Sequence, residues 1–275
     1  MPVAKPSLDL VRSATDDLVL RTLIRHRRLT RAELAVTAGI SKPTASESVR
    51  RLAEVGLLSD TGQRTSGRGR VGSYYALVED VGTALVVSVA PEGVVAECVD
   101  VYGDVLARAE RAVHRPARLQ RVADAIRVVA RAVGRETHGP ARLAVVSAAD
   151  PVDRVSGRLV HLPDAPFLVG ELDPVRELAD LVAGGPVIVD NDVNWAARAE
   201  RAASVEAGTP LDDFAYLFLG EGLGCAIVSD GEVRRGHTGL AGEIAHLLTV
   251  GPAGEAVPLT GVFEALGLRL SLIHI

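Results

Sequence analysis

The sequence predicts an α/β protein in two parts, a small helical head and a larger body in which strands alternate with helices. Apolar residues recur at helical spacing in the N-terminal part, whereas Val-rich segments separated by glycine turns follow residue 77. A stretch rich in Gly, Ser and Arg, Thr61–Ser73, lies near the border between these patterns. We therefore expect one domain at residues 1–77 and a second domain at residues 78–275.

Charge follows the same division. Residues 1–76 carry 13 basic and 7 acidic side chains, whereas residues 77–275 carry 17 and 28. A basic head on an acidic body indicates that the head binds a polyanion.

With 48% hydrophobic residues the chain can build cores. No apolar run approaches the length of about 18 residues that a membrane span needs. The two cysteines, Cys98 and Cys225, and an N-terminus without an apolar signal region predict a cytoplasmic protein.

The head has the pattern of a helix-turn-helix. Residues at helical spacing predict a first helix with one apolar face, formed by Leu18, Leu20, Leu23 and Ile24. Thr30 and Glu33 have the spacing of a capping box at the start of a second helix, and Gly39 can end it. Ser41 can cap a third helix. The residues of this helix that we expect in the core are Ala45, Val49 and Leu52.

This spacing allows the third helix to enter the major groove of DNA. Its outward hydroxyl and basic side chains suit contacts to phosphates and base edges. Gly56–Leu58 and Tyr74–Leu77 predict the strands of a wing, and the cationic tip Ser66–Arg70 suits a minor groove or a phosphate. The predicted DNA-binding residues are Ser41, Lys42, Thr44, Ser46, Arg50, Arg68 and Arg70. The alternative is a winged helix that binds protein and has a solvated basic loop.

The body is predicted to have strands at 84–89, 94–99, 143–147, 186–190, 214–219 and 225–228, and helices at 119–133 and 196–207. Residues 100–106 turn into a further strand. Two segments of the body are rich in polar residues and are candidate motifs. Val189–Asn194 (VDNDVN) ends a core strand, and Gly236–His246 (GHTGLAGEIAH) is rich in glycine and ends in Gly-Glu-x-x-His.

With these two motifs behind a winged helix, the chain resembles the ROK family of repressors, open reading frames and kinases, from the head to about Leu266. The resemblance implies an actin-like, sugar-kinase-like (ribonuclease H-like) body with two lobes. The second lobe is expected to be incomplete, because the family normally continues well past this motif. The tail Leu270–Ile275 has no family counterpart, so we expect a truncation, a frameshift or a sequencing artefact there.

The resemblance also implies a sugar site. In the family's kinases the residue at the position of Asp192 takes a proton from a sugar hydroxyl, and those at Asn191, Glu243 and His246 bind sugar hydroxyls. Carboxylates and amides form directional hydrogen bonds with vicinal hydroxyls, which fits this role. The alternatives are that Asp192 and Asn194 cap the following helix, and that Glu243 and His246 form a surface pair on a helix.

The phosphate half of the kinase pattern is disrupted. Family kinases have Asp-x-Gly-Gly-Thr after the first strand, where this chain has Ser88–Gly93 (SVAPEG). Pro91 removes an amide donor from this segment, and Glu92 adds negative charge. In the second phosphate loop, Gly220–Gly224, Glu221 replaces a hydroxyl. We therefore predict no kinase activity and a base position that is vestigial.

Many family members bind zinc through a histidine and three cysteines just after the Gly-Glu-x-x-His segment. Residues 249–266 contain no cysteine, so we predict no metal and no other cofactor. The leading hypothesis is a transcription regulator, most simply a repressor, that binds double-stranded operator DNA and senses a sugar or sugar derivative. We expect a homodimer or higher oligomer, because paired heads bind paired half-sites. The alternatives are an ATP-dependent, glucokinase-like sugar kinase with a DNA-binding head, and a regulator that no longer senses a ligand.

Overall fold

A computed structural model describes residues 8–66, 71–113, 118–137, 141–160, 171–219, 223–245 and 247–267. The chain divides by its contacts into two compact units. The first, which we call the winged-helix unit, comprises Met1–Thr83, Val99–Leu106 and His138–Pro140. The second, which we call the sheet unit, comprises Ala84–Cys98, Ala107–Thr137 and Ala141–Ile275. The domain boundary at residue 77 stays a prediction.

The winged-helix unit combines helices with a small sheet. In chain order its elements up to Leu77 are α1 (Leu8–His26), β1 (Arg28–Thr30), α2 (Arg31–Thr37), α3 (Lys42–Glu54), β2 (Leu58–Arg64) and β3 (Ser73–Leu77). The sheet has the order β1-β3-β2, and both neighbours of β3 are antiparallel to it. The predicted wing strands are therefore present. The wing tip, residues 67–70, lies outside the described residues.

Local sequence signals set the ends of α2 and α3. The Glu33 amide donates to the Thr30 hydroxyl at 3.2 Å and the Thr30 amide donates to the Glu33 carboxylate at 2.8 Å, so the capping box is confirmed. Gly39 ends α2 with a φ of 64°, a conformation that favours glycine. The Ser41 hydroxyl accepts from the Thr44 amide at 3.2 Å and caps α3, as predicted.

The buried face of α1 differs from the predicted one. Val19 and Leu23 are fully buried, whereas Leu18 and Ile24 are 38% and 37% exposed. The prediction was right for Leu23 and wrong for Leu18 and Ile24. Val19 and Leu23 are one helical turn apart and form the narrow stripe that meets the core, which Leu18 and Ile24 flank. The other buried apolar residues of this core are Leu34, Ala35, Ala45, Val49, Leu52, Leu58 and Leu77.

From residue 83 onward the chain contains both strands and helices, as predicted. In chain order the elements are β4 (Thr83–Ala90), β5 (Gly93–Val99), β6 (Val105–Ala112), α4 (Leu119–Glu136), β7 (Ala141–Ala148), α5 (Pro174–Leu178), a 3-10 turn (Ala179–Leu181), β8 (Val187–Asn191), α6 (Asp192–Glu206), β9 (Phe214–Leu219), β10 (Leu223–Ser229), β11 (Glu232–Val233), β12 (Leu248–Val250), β13 (Ala256–Pro258) and α7 (Leu259–Ala265). However, β6 starts at Val105, and α6 starts at Asp192, before the predicted residue 196.

The larger sheet has the order β6-β5-β4-β7-β8, and β8 is parallel to β7. Alternate residues of β4 are buried, as expected for a strand with one face on a core. Helix α4 contributes an apolar stripe to the same core, formed by Val122, Ile126, Val129 and Val133 with alanines between them. Because β7 and β8 are parallel, their carboxyl ends lie together, and Asn191 stands at that edge.

A smaller sheet has the order β11-β10-β9 with antiparallel pairing. Helix α6 packs on one of its faces, in a core formed by Val193, Ala197, Ala226 and Val228. Because α6 starts directly after β8, this packing brings β10 to the carboxyl edge of the larger sheet. None of the described helices combines the length and apolar character needed to cross a bilayer.

Substituting Val129→Ala is expected to lower the free energy of unfolding by about 2 kcal/mol, because buried methyl groups are lost and a cavity remains. Val129 is 2% exposed. The neighbouring Val128, 51% exposed on the same helix, is the matched control, and Val128→Ala should change stability by less than about 0.5 kcal/mol. Urea unfolding followed by the fluorescence of Trp195, the single tryptophan, measures both. Equal losses would contradict the packing of α4.

Candidate functional site

A groove of about 550 Å³ lies in the winged-helix unit between the start of α2, the first turns of α3 and the base of the wing. Its polar lining is formed by Thr30, Arg31, Lys42, Ser46, Thr65 and Ser73. Of the predicted DNA-binding residues, Lys42 and Ser46 therefore share one concave surface. Ser41 and Thr44 are exposed beside it at the start of α3. Arg68 and Arg70 lie outside the described residues.

Arg50 is exposed, but carboxylates on its own helix take up its charge. Its guanidinium donates to Glu47 at 2.6 Å and also to Glu54. These two acids raise the pKa of Arg50. A DNA phosphate would have to compete with both carboxylates, so Arg50 offers less free positive charge than its exposure suggests. Within the described part of the chain, Lys42 forms no such ion pair.

The winged-helix unit presents two further arginines that sequence reasoning missed. The Arg31 guanidinium lies 4.8 Å from the centre of the Tyr75 ring, and that of Arg28 lies 5.7 Å from the Tyr74 ring. Stacking on an aromatic ring orients a guanidinium and leaves its charge available to an anion. Arg31 lines the same groove as Lys42. The antiparallel pairing of β1 with β3 is the signal that could have placed these arginines beside the tyrosines.

In the sheet unit, a buried carboxylate organises the corner where β8 meets α6. Asp190 is 2% exposed and accepts from Arg198 Nη1 at 2.6 Å and from Asn194 Nδ2 at 2.9 Å. The backbone amide of Asn191 also donates to the Asp190 carboxylate at 2.9 Å, and Arg235 Nε lies 3.2 Å from this carboxylate. A carboxylate this buried is tolerated because cations and donors surround it. The ion pairs tie the segment after β11 to this corner.

Asn191 is the cap of α6. Its side-chain carbonyl accepts from the Val193 amide at 3.0 Å, and its amide nitrogen donates to the carbonyls of Ala148 and Asp150 at 3.3 Å each. The N-terminus of α6 is therefore capped, but by Asn191 and not by the predicted Asp192 or Asn194. With its donors turned to the backbone, Asn191 keeps little hydrogen-bonding capacity for a ligand. Its role as a sugar ligand stays a prediction.

Asp192 occupies the first position of α6. Its carboxylate accepts from the Val193 amide at 2.8 Å. Burial raises the pKa of Asp192 from 3.8 to about 6, because a charged carboxylate is poorly solvated there. A carboxyl group with such a pKa can accept hydrogen bonds from hydroxyls at neutral pH and can take a proton in mild acid. This is the chemistry that the predicted sugar-binding position requires.

Close backbone contacts hold the glycine-rich loop that precedes Glu243. A Cβ at Gly242 would collide with the carbonyl oxygen of Cys225, and a Cβ at Gly239 would collide with that of Val152. Both glycines also have left-handed φ angles, 101° and 96°. The loop therefore lies directly on β10 and on the segment after β7, and only glycine fits at these positions.

Strand β10 brings the loop and α6 together through adjacent residues. Gly224 lies against the Val193 side chain in the first turn of α6, and the neighbouring Cys225 carries the contact to the loop. Glu243, which is partly buried, follows this contact directly. Val193 and Gly242, the sequence neighbours of Asp192 and Glu243, thus both contact the start of β10. His246, the fourth predicted ligand, lies outside the described residues.

The segment aligned with the first phosphate loop is a short turn. Pro91 and Glu92 join β4 to β5, and a Cβ at Gly93 would collide with the carbonyl oxygen of Arg111 in β6. Gly93 is therefore required by sheet packing, whatever the turn binds. A cavity of about 240 Å³ beside the turn is lined on its polar side by Ser88, Glu92, Glu110 and Arg111. Glu221 of the second loop lies outside the described residues.

The described residues contain no group of three or more His, Cys, Asp and Glu side chains that could hold a metal ion. Cys98 on β5 is buried, and its thiol lies 3.6 Å from the Thr137 hydroxyl. Cys225 on β10 is partly buried, and burial raises the pKa of its thiol. Both cysteines are thus parts of packed strands.

Comparison with protein families assigns both parts of the chain. The ROK family model matches residues 94–258, and a winged helix-turn-helix DNA-binding model matches residues 12–59. The chain belongs to the ROK family. The resemblance inferred from the two motifs is confirmed, and so is the fold class, an α/β protein with an N-terminal winged helix and a sugar-kinase-like domain.

Among relatives, a putative xylose repressor from Caldicellulosiruptor sp. (strain Rt8B.4) is 22% identical over 242 residues, covering 86% of this ROK chain and 59% of the relative. The xylose repressor of Caldicellulosiruptor bescii is 24% identical over 235 residues, covering 83% and 57%. A glucokinase from Halalkalibacterium halodurans is 45% identical over 83 residues, covering 30% and 24%. The chain spans less than two thirds of the length of these xylose repressors.

Among solved structures, a ROK family transcriptional regulator described as a homologue of the E. coli MLC protein superposes with a TM-score of 0.62. The two sequences are 19% identical, and the match covers 93% of this chain and 67% of the other. At this identity the likeness concerns the fold. It extends over almost the whole of this ROK protein, including the winged helix.

Replacing Asp192 by Asn is expected to stabilise the ROK protein at pH 8 by about 1–3 kcal/mol. The raised pKa means that the folded state binds this proton more tightly than the unfolded chain. Stability from this group is therefore present below pH 3.8 and is lost as the pH rises to about 6. The Asp192→Asn protein should lack this loss in urea unfolding at stepped pH.

Asp153 is the control of opposite sign, because the hydroxyl and amide of Ser156 lower its pKa. Asp153→Asn should therefore reduce stability at neutral pH. A wild-type protein and an Asp192→Asn protein with the same pH dependence would show that burial does not affect the acidity of Asp192.

Proposed function

We propose that this chain is a DNA-binding transcription regulator, a repressor, whose sheet unit senses a sugar. The observation that carries the proposal is the union, in one chain, of a winged helix presenting a cationic groove and a ROK domain. Two relatives that match over 83–86% of the chain are named a putative xylose repressor and a xylose repressor. Such a regulator works in the cytoplasm, where its operator DNA is.

In this proposal α3 enters the major groove. Ser41 and Thr44, exposed at its start, contact base edges, since the first residues of a recognition helix reach deepest. Arg31 and Lys42 contact the phosphates of the strand that runs along the groove between α3 and the wing. Arg50 contributes little because Glu47 and Glu54 compensate its charge. Arg68 and Arg70 at the wing tip contact the minor groove.

The effector in this proposal is a neutral sugar, with xylose the first choice because of the names of the relatives. Asp192 and Glu243 accept hydrogen bonds from its hydroxyls, and a sugar lacking one of these hydroxyls loses that hydrogen bond. The sugar changes DNA binding by favouring one of two arrangements of the protein. The regulator acts as a homodimer or higher oligomer on paired half-sites.

A kinase is the second candidate, favoured by the 45% identity to a glucokinase over 83 residues. The short Pro91–Glu92 turn argues against it, because proline offers no amide to a phosphate and the glutamate repels one. The acidic lining of the neighbouring cavity, Glu92 and Glu110, adds to this repulsion. The proposal is therefore a protein without kinase activity.

The proposed DNA-binding surface of the winged-helix unit is tested with the DNA upstream of the protein's own gene. Binding is measured by fluorescence anisotropy over a salt series. The wild-type protein should bind with a steep salt dependence. Lys42→Ala and Arg31→Ala should each reduce the slope of log K against log salt by about 1, whereas Arg50→Ala should reduce it by less. Arg108→Ala, which removes an exposed arginine of the sheet unit, is the control and should leave the slope unchanged.

Absence of binding at low salt would exclude the repressor. A slope that falls equally in Arg50→Ala and Lys42→Ala would contradict the charge compensation at Glu47 and Glu54.

Addition of D-xylose, with D-glucose and D-mannitol for comparison, tests the sugar site. D-Xylose is expected to raise the melting temperature and to weaken DNA binding, since it favours the state with lower affinity for DNA. In Asp192→Ala and in Glu243→Gln both responses should be lost. Magnesium-dependent formation of a sugar phosphate from ATP would favour the kinase instead. DNA binding without response to any sugar would indicate a regulator that no longer senses a ligand.

A further inference from the structure

The winged-helix unit includes a turn that lies far from it in sequence. Val99–Leu106, the connection from β5 to β6, belongs to this unit by its contacts. Val101 and Tyr102 at its tip pack against the apolar core formed by α1, α2 and α3. The turn lies inside the segment that the ROK family model matches, residues 94–258. The head therefore takes part of its core from outside its own segment of sequence.

The turn is rigid in its own right. The Asp100 carboxylate accepts from the amides of Tyr102 at 2.8 Å and Asp104 at 2.9 Å, and the Asp104 carbonyl accepts from the Asp100 amide at 3.0 Å. Gly103 supplies a left-handed φ of 85° between them. The side chains of Tyr102 and Asp104 are thus presented in a fixed geometry.

Both side chains converge on Arg27. Its two terminal guanidinium nitrogens donate to the two carboxylate oxygens of Asp104 at 2.6 and 2.7 Å. The guanidinium also lies 5.1 Å from the centre of the Tyr102 ring. The Tyr102 hydroxyl donates to the Arg27 carbonyl at 3.3 Å. The turn therefore holds both the side chain and the backbone of Arg27, through a bidentate ion pair, a stacked ring and a hydrogen bond.

Arg27 has an unfavourable backbone conformation. Its φ is 65°, in the left-handed region that side chains other than those of Gly, Asn and Asp rarely adopt. Such a conformation persists where the surroundings impose it. Its location is decisive, because Arg27 connects α1, which ends at His26, to β1, which begins at Arg28.

The direction of β1 affects the surface proposed to bind DNA. Leu29 pairs with Tyr75 and Thr30 with Tyr74 on β3, which forms the base of the wing. Thr30 also caps α2 and lines the cationic groove. A change in the backbone at Arg27 would therefore shift the wing base and the cap of α2 relative to α3.

We propose that Tyr102 and Asp104 are positioning residues of the DNA-reading surface, which act by holding Arg27 in its left-handed conformation. The proposal rests on the DNA-binding function proposed above. The turn Val99–Leu106 is then required for DNA binding by the winged-helix unit. The exposed ion pair between Arg27 and Asp104, which would otherwise contribute little to stability, gains a role in positioning.

The test uses the full chain and a chemical rescue. Asp104→Asn keeps the shape of the turn but removes the charge, and Tyr102→Ala removes the ring and the hydroxyl. Both should weaken binding to the DNA upstream of the gene about fivefold to tenfold. Both should also speed amide hydrogen exchange in β1 and β3. Arg27→Gly in the Asp104→Asn background should restore affinity to within about twofold, because glycine adopts this φ without help.

Glu97→Gln is the matched control, because Glu97 pairs with Arg108 on the same hairpin but lies in the sheet unit. This variant should leave affinity and exchange unchanged. Unchanged exchange in Asp104→Asn and Tyr102→Ala would overturn the proposal. So would an affinity loss that Arg27→Gly does not rescue, since the turn would then act by some route other than the backbone of Arg27.

The exchange measurement needs no DNA. If the wild-type protein does not bind DNA, the proposed function fails, while faster exchange in β1 and β3 still decides whether the turn positions Arg27.

Discussion

Much of the geometry of the sheet unit depends on the burial of one carboxylate. Asp190 is enclosed at the end of β8 and is held by Arg198 and Arg235. A buried charge without its partners is strongly unfavourable, so the two arginines and the corner must come together as the protein folds. This requirement fixes the start of α6 and the segment after β11 against each other. Asp192, the first residue of α6, acquires its position from this corner.

In the winged-helix unit, the local environment of each cation determines its value for binding an anion. Arg50 and Lys42 lie on the same exposed face of α3, but only Arg50 has acidic neighbours one turn away on both sides. Arg31 comes from a different helix and reaches the groove because it stacks on Tyr75. A cationic surface thus forms from residues that the pattern of α3 alone does not connect.

This chain is similar both to xylose repressors and, over 83 residues, to a glucokinase, so membership in the ROK family does not by itself decide the function. At the turn between β4 and β5, β6 leaves no room for a Cβ at Gly93, and Pro91 offers no backbone amide donor. At the start of α6, burial raises the pKa of Asp192 to about 6.

The sequence by itself determined the main elements of the winged helix and the caps of α2 and α3, because their signals act over a few residues. The capping box at Thr30 could be predicted in this way, as could the buried residues Ala45, Val49 and Leu52 of α3. Only the tertiary structure decided which face of α1 is buried and how far the pKa of Asp192 is raised. It also decided that the side-chain amide of Asn191 donates to backbone carbonyls. The same holds for the bond from Arg27 to Asp104 across 77 residues. Burial and long-range contacts depend on how elements pack, which no local pattern records.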